Sequence, residues 1–366
     1  MPESRLRAGI AGCGRIAGAF AHPGVGPPLT HAGALTADGA FVLDAVWDAD
    51  AARAEAFAAR WHAAAVVAGP AGLAARALDL VAVCTPDASH APVVLELLAA
   101  PVPPRLIVVE KPLCTRPDDL ARLERALAAC PGVSVVVNHS RRFDAGHAEV
   151  QAVIASGRLG PVLAARWVYY GGWLHNGVHA VDTLRLLLGG GFEPLEVEPG
   201  WLDRPGDPCL DGRFRSSAWP DARIVIESHP ETAYQMFEGE IRLGHGRIRV
   251  MDFGAELWLD DVKVNEAGER ELKSGRRLTR DDAPPAMANL YRQAAGWLGT
   301  GDCAIVARAG LAEAAATLRL LFDTAARLIP ASHNADPSRV TDRDGGCASP
   351  MGAKPRTHNG KAGPGP

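Results

Sequence analysis

The sequence predicts an α/β fold in two parts, a doubly wound parallel sheet followed by an α+β domain with an antiparallel or mixed sheet. Three observations carry this. A short apolar run leads straight into Gly12-x-Gly14-x-x-Ala17. Apolar strand patterns then alternate with helical patterns up to about residue 138, the mark of a parallel sheet covered by helices. Beyond that point strand patterns follow one another with no helix between them.

Residues 6–12 read as the first strand. In a strand–turn–helix setting Gly12 allows the tight turn and Gly14 lets a pyrophosphate approach the backbone. Ala17 lets the helix pack close to the strand, with the anion on the helix N-terminus. Arg15 and Ile16, inside this turn, join the same cofactor-binding set. A helix is expected to begin over residues 16–20, break in the Gly/Pro-rich loop 22–28, and resume over 31–37. The second strand, Phe41–Trp47, ends at Asp48, about 30 residues past the turn rather than the usual roughly 20, and the inserted loop accounts for the delay. An acid there accepts both ribose hydroxyls of NAD and repels the 2′-phosphate of NADP. Its other reading is a surface acid opening the helix over 51–61. Arg53 close by keeps NADP possible.

Residues 78–86 form an apolar strand ending in Thr85-Pro86, as suits a strand covered on both faces. A helix over 90–99, a strand at 106–109 running into Glu110-Lys111-Pro112, a helix over 118–129 and a strand at 133–137 complete a first domain of residues 1–138. In the second domain, residues 139–330, a helix is expected over 145–156 and a strand over 162–170. A further helix over 176–188 is stopped by Gly189-Gly190-Gly191. Strand patterns follow at 195–201, 222–228, 232–237, 240–243, 247–252 and 256–259, then helices at 285–300 and 307–328. The tail, 331–366, is rich in Gly, Pro, Ser, Asn and charge and reads as disordered.

Composition narrows the partners. The chain has 366 residues, 48% hydrophobic and 22% charged, as a soluble globular protein does. A net charge of −4 gives no reason to expect nucleic acid or an anionic membrane. No apolar run has the length of a membrane span, and no signal-peptide core precedes the first strand. The seven cysteines are scattered, odd in number and without a C-x-x-C pair, which points to reduced thiols in a cytoplasm.

Two clusters can carry chemistry. The first sits at the carboxyl ends of the parallel strands, where open α/β sheets place ligands: the glycine turn, Asp48, Thr85-Pro86 with His90, and Glu110-Lys111-Pro112. A lysine at the tip of an apolar strand would lie by the cofactor, where partial desolvation lowers its pKa. The bland reading is a solvated lysine in a loop. The second cluster is the run from Gly171 to Asp182, in which His175, His179 and Asp182 fall at i, i+4 and i+7 on one helix face. Packed structural histidines are the alternative. The His175/His179 spacing is metal-like, but the zinc-protease pattern needs Glu where Asn176 stands, and no metal is expected.

At these residues the chain resembles the Gfo/Idh/MocA family (glucose–fructose oxidoreductase, inositol dehydrogenase, rhizopine catabolism) of NAD(P)-dependent oxidoreductases. The matching pieces occur in the family's order: GIAGCGRIA from Gly9, TPDASH from Thr85, EKP from Glu110, RRFD from Arg141 and GVHAVDTLRLLLG from Gly177. The resemblance implies an N-terminal Rossmann domain and a C-terminal α+β domain with an open, mostly antiparallel sheet whose face often forms a dimer interface, hence a homodimer or homotetramer. It places Lys111 at substrate and nicotinamide and His179 as general acid/base. It puts Thr85, Pro86, His90 and Glu110 around the cofactor and Arg141 and Arg142 near the cleft; the expected substrate set is Arg141 with Tyr170, His175 and Asp182. Many members carry an Asp four residues before the histidine to bind substrate hydroxyls; here that position is His175. An imidazole can bond a hydroxyl or move a proton, but it carries no obligate negative charge.

The activity this implies is hydride transfer between NAD and a secondary alcohol of a sugar, cyclitol or other polyol, with His179 handling the proton and Lys111 stabilising the alkoxide. Two alternatives stand beside it. One is an epimerase or lyase that oxidises and re-reduces on retained NAD, and the other is a non-catalytic dinucleotide-binding regulator.

Overall fold

Strand β1 (Leu6–Ala11) enters a six-stranded sheet in which its neighbours on both sides are parallel to it. The computed structural model describes residues 5–328, apart from 203 and 280; the tail expected to be disordered lies outside the described residues. The first sheet is completed by β2 (Phe41–Trp47), β3 (Ala65–Val66), β4 (Leu80–Val83), β5 (Leu106–Val109) and β6 (Ser134–Val137), in the order β3-β2-β1-β4-β5-β6. The order reverses between β1 and β4, and the crevice at their carboxyl ends is where this architecture binds ligands. β4 and β5 are buried at every position, which is why their sequences read as unbroken apolar runs.

Between these strands run α1 (His31–Ala37), α2 (Ala51–Trp61), α3 (Pro70–Ala74), α4 (His90–Leu98) and α5 (Pro117–Ala128). The starts have local causes. Thr30 caps α1 and Asp50 caps α2 through side-chain oxygens, and α5 opens with Pro117 and two acids, Asp118 and Asp119. The helix expected over 16–20 does not form. The Gly14 carbonyl accepts from the amides of Gly18 and Ala19 in one turn, and the chain then leaves. Gly18 adopts φ +132°, a conformation that favours glycine, and lies against Trp61, whose indole Nε1 donates to the Gly18 carbonyl at 3.1 Å.

The second half begins with α6 (Ala145–Ala155), β7 (Val162–Tyr169), a π-turn at Trp173–Gly177 and α7 (Val178–Leu188). Seven strands follow: β8 (Phe192–Pro199), β9 (Leu210–Ser216), β10 (Arg223–Ser228), β11 (Glu238–Leu243), β12 (Gly246–Met251), β13 (Glu256–Val264) and β14 (Arg270–Arg277). With β7 they make one eight-stranded sheet, β14-β13-β12-β11-β7-β10-β9-β8, antiparallel except for the β7–β10 pair. Its inner face buries Trp167, Tyr169, Ile226, Ile241, Ile248 and Leu257. Its outer face carries cross-strand ion pairs such as Arg166–Glu227 and Arg213–Glu196. The strand expected at 232–237 is absent: Pro230 opens a turn closed by the Ala233 amide, and pairing starts only at Glu238. β14 escaped the sequence reading because this edge strand is almost wholly charged and exposed.

The chain then returns. Helix α8 (Ala286–Thr300) packs Leu290, Tyr291 and Ala294 into the core that holds Ala8 and Ile10 of β1, so it covers the first sheet and not the second. The single helix expected over 307–328 is two, α9 (Ala304–Ala309) and α10 (Leu311–Ala326), because Gly310 is extended and pressed against the Val306 carbonyl, where a Cβ would sit 2.4 Å from the oxygen. No helix among the described residues is long and apolar enough to cross a membrane.

One buried ion pair ties these pieces together. Arg142 faces Asp182 of α7 with both Nε and Nη2 (2.9 Å each at the closest), and Arg142 and Asp182 are 4% and 2% exposed. Arg142 Nη1 also donates to the Arg308 carbonyl, and Thr317 of α10 donates to Asp182. Burial works to raise the Asp182 pKa, yet His139 and Arg142 outweigh it and hold the carboxyl below the usual 3.8. The stability linked to that depression is therefore present above the ordinary carboxylate range and is lost as pH falls through the lowered value. Replacing Arg142 by Met strands a buried charge and should cost about 3–5 kcal/mol in urea unfolding at pH 7. A loss below about 1 kcal/mol would remove the pair from the stability argument.

Candidate active site

The glycine turn is shaped by contact on one side and openness on the other. Gly12 has φ +92° and a Cβ there would lie 2.7 Å from the backbone of Cys84 and Thr85, so β1 can approach the end of β4 only through glycine. Around the position where Gly14 would carry a Cβ there is nothing within 4 Å. The hydroxyl of Thr85, at the same crevice, is buried without a hydrogen-bond partner. An open glycine beside an orphaned hydroxyl at the switch point fits a dinucleotide phosphate and its neighbouring groups. Because the expected helix is a single turn, the anion would be held by the turn's own backbone and not by a helix N-terminus. Arg15 and Ile16 stand exposed at its tip.

Asp48 lies where expected, at the end of β2, and its carboxylate also organises the turn. Oδ2 accepts the Cys13 amide at 2.7 Å and Oδ1 accepts the Asp50 amide at 2.9 Å. Arg53 reaches Asp48 and Asp50 at 3.3 Å each. The acid is thus partly neutralised by a half-exposed arginine at the place where a 2′-phosphate would sit.

The tips of β4 and β5 hold the rest. Pro86 is exposed and begins the short turn Asp87–Ser89. His90 was expected at the cofactor, but it is 1% exposed and both ring nitrogens face carbonyls, Nδ1 that of Pro112 at 2.7 Å and Nε2 that of Thr85 at 2.6 Å. It fastens two loops to each other. Glu110 is bound in a buried chain that the sequence reading missed. Its Oε1 meets His31 Nε2 at 2.8 Å and the Asn138 amide at 2.6 Å, and His31 Nδ1 meets the Tyr291 hydroxyl at 2.5 Å. Burial pushes the Glu110 pKa up, but His31, Asn138 and Lys111 overcome this and keep it below 4.5. A carboxylate is therefore fixed beside Lys111.

Lys111 itself is desolvated. Burial lowers its pKa, Glu110 and Asp87 oppose this, and Arg204 and Arg141 reinforce it, so the ammonium lies below its ordinary 10.5. Its Nζ donates to the His175 carbonyl at 2.9 Å. With Ile16, Leu29, Glu110, Asn138 and His179 it lines a cleft of about 320 Å³. Residues of the glycine turn, β5 and α7 thus share one cavity.

None of the four residues expected at the substrate lines this cleft; His175 is tied to it through its carbonyl, which Lys111 meets. His175 is part-exposed, and its Nδ1 meets Asp87 Oδ2 at 2.6 Å. Asp87 had stood unremarked within the TPDASH stretch; the signal for it was an acid at a strand tip facing an imidazole that needs a partner. Arg141 lays its guanidinium 4.0 Å over the Phe237 ring and donates to the Phe253 carbonyl. Tyr170 packs edge-on against Phe253 and hydrogen-bonds Asn176. Asp182 is the correction: it is spent on Arg142 and Thr317 and sealed from solvent, so it joins helices and offers nothing to a substrate. His179 lies edge-on to Phe237, and its proton affinity is well below the usual value because of burial and the charges of Lys111, Arg141, His139 and His175. Asp207 accepts the amides of Leu174 and His175 and so anchors the start of the π-turn.

A parallel sheet with a glycine crevice is followed by a second sheet, and helix α7 of that second part brings His179 to the cleft that Ile16 and Lys111 line. Residues 6–139 match the GFO_IDH_MocA family, described as an oxidoreductase family with an NAD-binding Rossmann fold. It is 37% identical over 161 residues to the myo-inositol dehydrogenase Hyg17 of Streptomyces leeuwenhoekii, which covers 43% of this chain and 44% of that one. It is 33% identical over 153 residues to an inositol 2-dehydrogenase of Rhodococcus erythropolis, covering 38% and 43%. The chain thus spans about half the length of the curated relatives it matches. Over the whole fold it resembles an NAD-binding oxidoreductase from Klebsiella pneumoniae (TM-score 0.70, 17% identity, 89% of this chain and 97% of that). It also resembles the 3-ketoreductase KijD10 of Actinomadura kijaniata in complex with NADP (TM-score 0.65, 18% identity, 88% and 96%).

The Asp48–Arg53 arrangement predicts a measurable cofactor balance. Replacing Arg53 by Ala should weaken NADPH binding relative to NADH by about two- to fivefold, the worth of one exposed ion pair. Fluorescence titration of both nucleotides against wild type and variant checks this; an unchanged ratio would show that Arg53 does not meet the 2′-phosphate.

Proposed function

We propose that this protein is an NAD(P)-dependent dehydrogenase that moves hydride between the nicotinamide and a secondary alcohol of a sugar, cyclitol or related polyol. The observation that carries the reading is the single cleft shared by the glycine turn, Lys111 and His179. The relatives' names, inositol dehydrogenases and a ketoreductase, support the same reaction class. Asp48 would take the adenosine ribose, Gly14 the pyrophosphate, and the Thr85 hydroxyl a polar group of the same ligand.

The bound nicotinamide supplies the hydride chemistry. The chain supplies the rest. Lys111 is held by the His175 carbonyl and backed by the Glu110 carboxylate, so its amino group is aimed into the cleft. It would hydrogen-bond the carbinol oxygen and stabilise the negative charge that grows there. His179, in the first turn of α7, lines the same cleft and would take or return the hydroxyl proton. Arg141 on Phe237 and Tyr170 would contact the remaining hydroxyls.

Lys111→Ala should lower kcat/KM for NAD-linked oxidation of myo-inositol, or of whichever polyol in a panel is turned over, by about 100- to 1,000-fold. NADH binding should be retained. A variant with full turnover would make the assignment of Lys111 wrong.

A further inference from the structure

The cleft that Lys111 and His179 share is lined by two kinds of side chain. Asn138 is among the polar ones, and Ile16, Leu29 and Met287 are among the apolar ones. Asn138 directly follows β6 and is 5% exposed. Its Nδ2 donates to Glu110 Oε1 at 2.6 Å and lies 3.8 Å from Met287 Sδ. The carboxylate fixes which way the amide faces, because a flipped amide would set Oδ1 against Oε1. Glu110 is itself held by His31, so this orientation is in place before any ligand arrives. Oδ1 is the atom left over. It is buried and has no hydrogen-bond partner among the described residues. A buried amide oxygen without a donor is rare in a folded chain, and in a cleft it marks the place for a group that brings an N–H or O–H.

The apolar side chains come in part from the inserted loop between the glycine turn and α1. Its two ends are stitched together: the His31 amide donates to the Ile16 carbonyl at 3.1 Å and the Ala32 amide to that of Ala17 at 2.9 Å. Residues 18–30 thus form an Ω-loop on a closed neck. The neck is braced from behind, since the His31 ring is bound to Glu110 and Tyr291. Leu29, beside the neck, lines the cleft and is still 60% exposed. Open apolar surface around one orphaned acceptor suits a flat apolar ring that carries an amide donor. A polyol presents hydroxyls on every side and would leave Ile16, Leu29 and Met287 facing polar groups. Ile16 also belongs to the glycine turn that fits the pyrophosphate, so the ring belongs to the same ligand.

We propose that Asn138 and Leu29 read the nicotinamide of the bound dinucleotide: Asn138 Oδ1 accepts an N–H of the carboxamide, and Leu29 of the Ω-loop covers the ring. Asn138 is then the residue that tells a carboxamide, which has an N–H to give, from a ketone or carboxylate in its place, which has none. Lys111 and His179, on the same cleft, stay free for the second substrate. The inference concerns binding of the dinucleotide and holds whether or not a polyol is turned over.

Binding alone tests it. NADH, its 3-acetylpyridine analogue and ADP-ribose are titrated against the full chain by calorimetry. The analogue keeps the ring and loses the N–H donors, whereas ADP-ribose loses the ring and keeps the rest. Wild type should bind NADH about five- to tenfold more tightly than the analogue, the worth of one hydrogen bond to a buried acceptor. N138L should bind the two alike. L29A should weaken both by about three- to tenfold through lost apolar cover. ADP-ribose should bind all three proteins within about twofold, which also checks that the variants are folded, and N138S replaces N138L if that variant fails the check. A wild type that binds NADH and the analogue within twofold overturns the proposal without any variant, as does one that binds NADH no more tightly than ADP-ribose. So does an Asn138 variant that keeps the wild-type preference, or an L29A protein that binds NADH within twofold of wild type.

Discussion

The structure depends on two hydrogen bonds that meet at one residue. Lys111 donates to the His175 carbonyl, and the His175 ring donates to Asp87. Lys111 and Asp87 project from neighbouring strand tips of the parallel sheet, while His175 begins the helix that follows the central strand of the other sheet. Through these bonds the crevice at the end of the first sheet is joined to the π-turn before α7. Both bonds are partly shielded from water, which strengthens them relative to the same contacts on a surface.

Behind these bonds the charges are balanced by design of the fold. Burial lowers the Lys111 pKa, and the fixed carboxylates of Glu110 and Asp87 oppose it. Burial acts to raise the Glu110 pKa in turn, and His31, Asn138 and Lys111 outweigh it. Tyr291, which closes that chain, belongs to α8, a helix that returns from the end of the second half to cover the first sheet. The electrostatics of the site are therefore set by three distant segments at once. The Arg142–Asp182 pair serves a separate purpose: it joins α7 to α9 and α10, and so holds the histidine-bearing helix at a fixed depth.

Much of the architecture was legible because it rests on local rules. The parallel strands announce themselves as apolar runs since both faces are buried, and the glycine turn follows from steric limits on a single backbone position. Where the reading failed, a distant contact had won. The helix over 16–20 loses to Gly18 packing on Trp61, β14 is a strand only because β13 pairs with it, and the last helix breaks at Gly310. Lys111 and His179, singled out by position, line one cleft. Asp182 was misassigned because helical periodicity groups residues on a face without saying what that face meets.

By itself, then, the sequence determined the parallel sheet, the glycine crevice with its acid, and the identity of the lysine and histidines that surround it, since these follow from patterns a few residues long. Only the tertiary structure decided their roles. It spent Asp182 and His90 on holding elements together, backed Lys111 with a buried carboxylate, and set Asp87 against His175. Those outcomes depend on residues tens to hundreds of positions apart being brought within hydrogen-bond distance, and no local pattern records such a meeting.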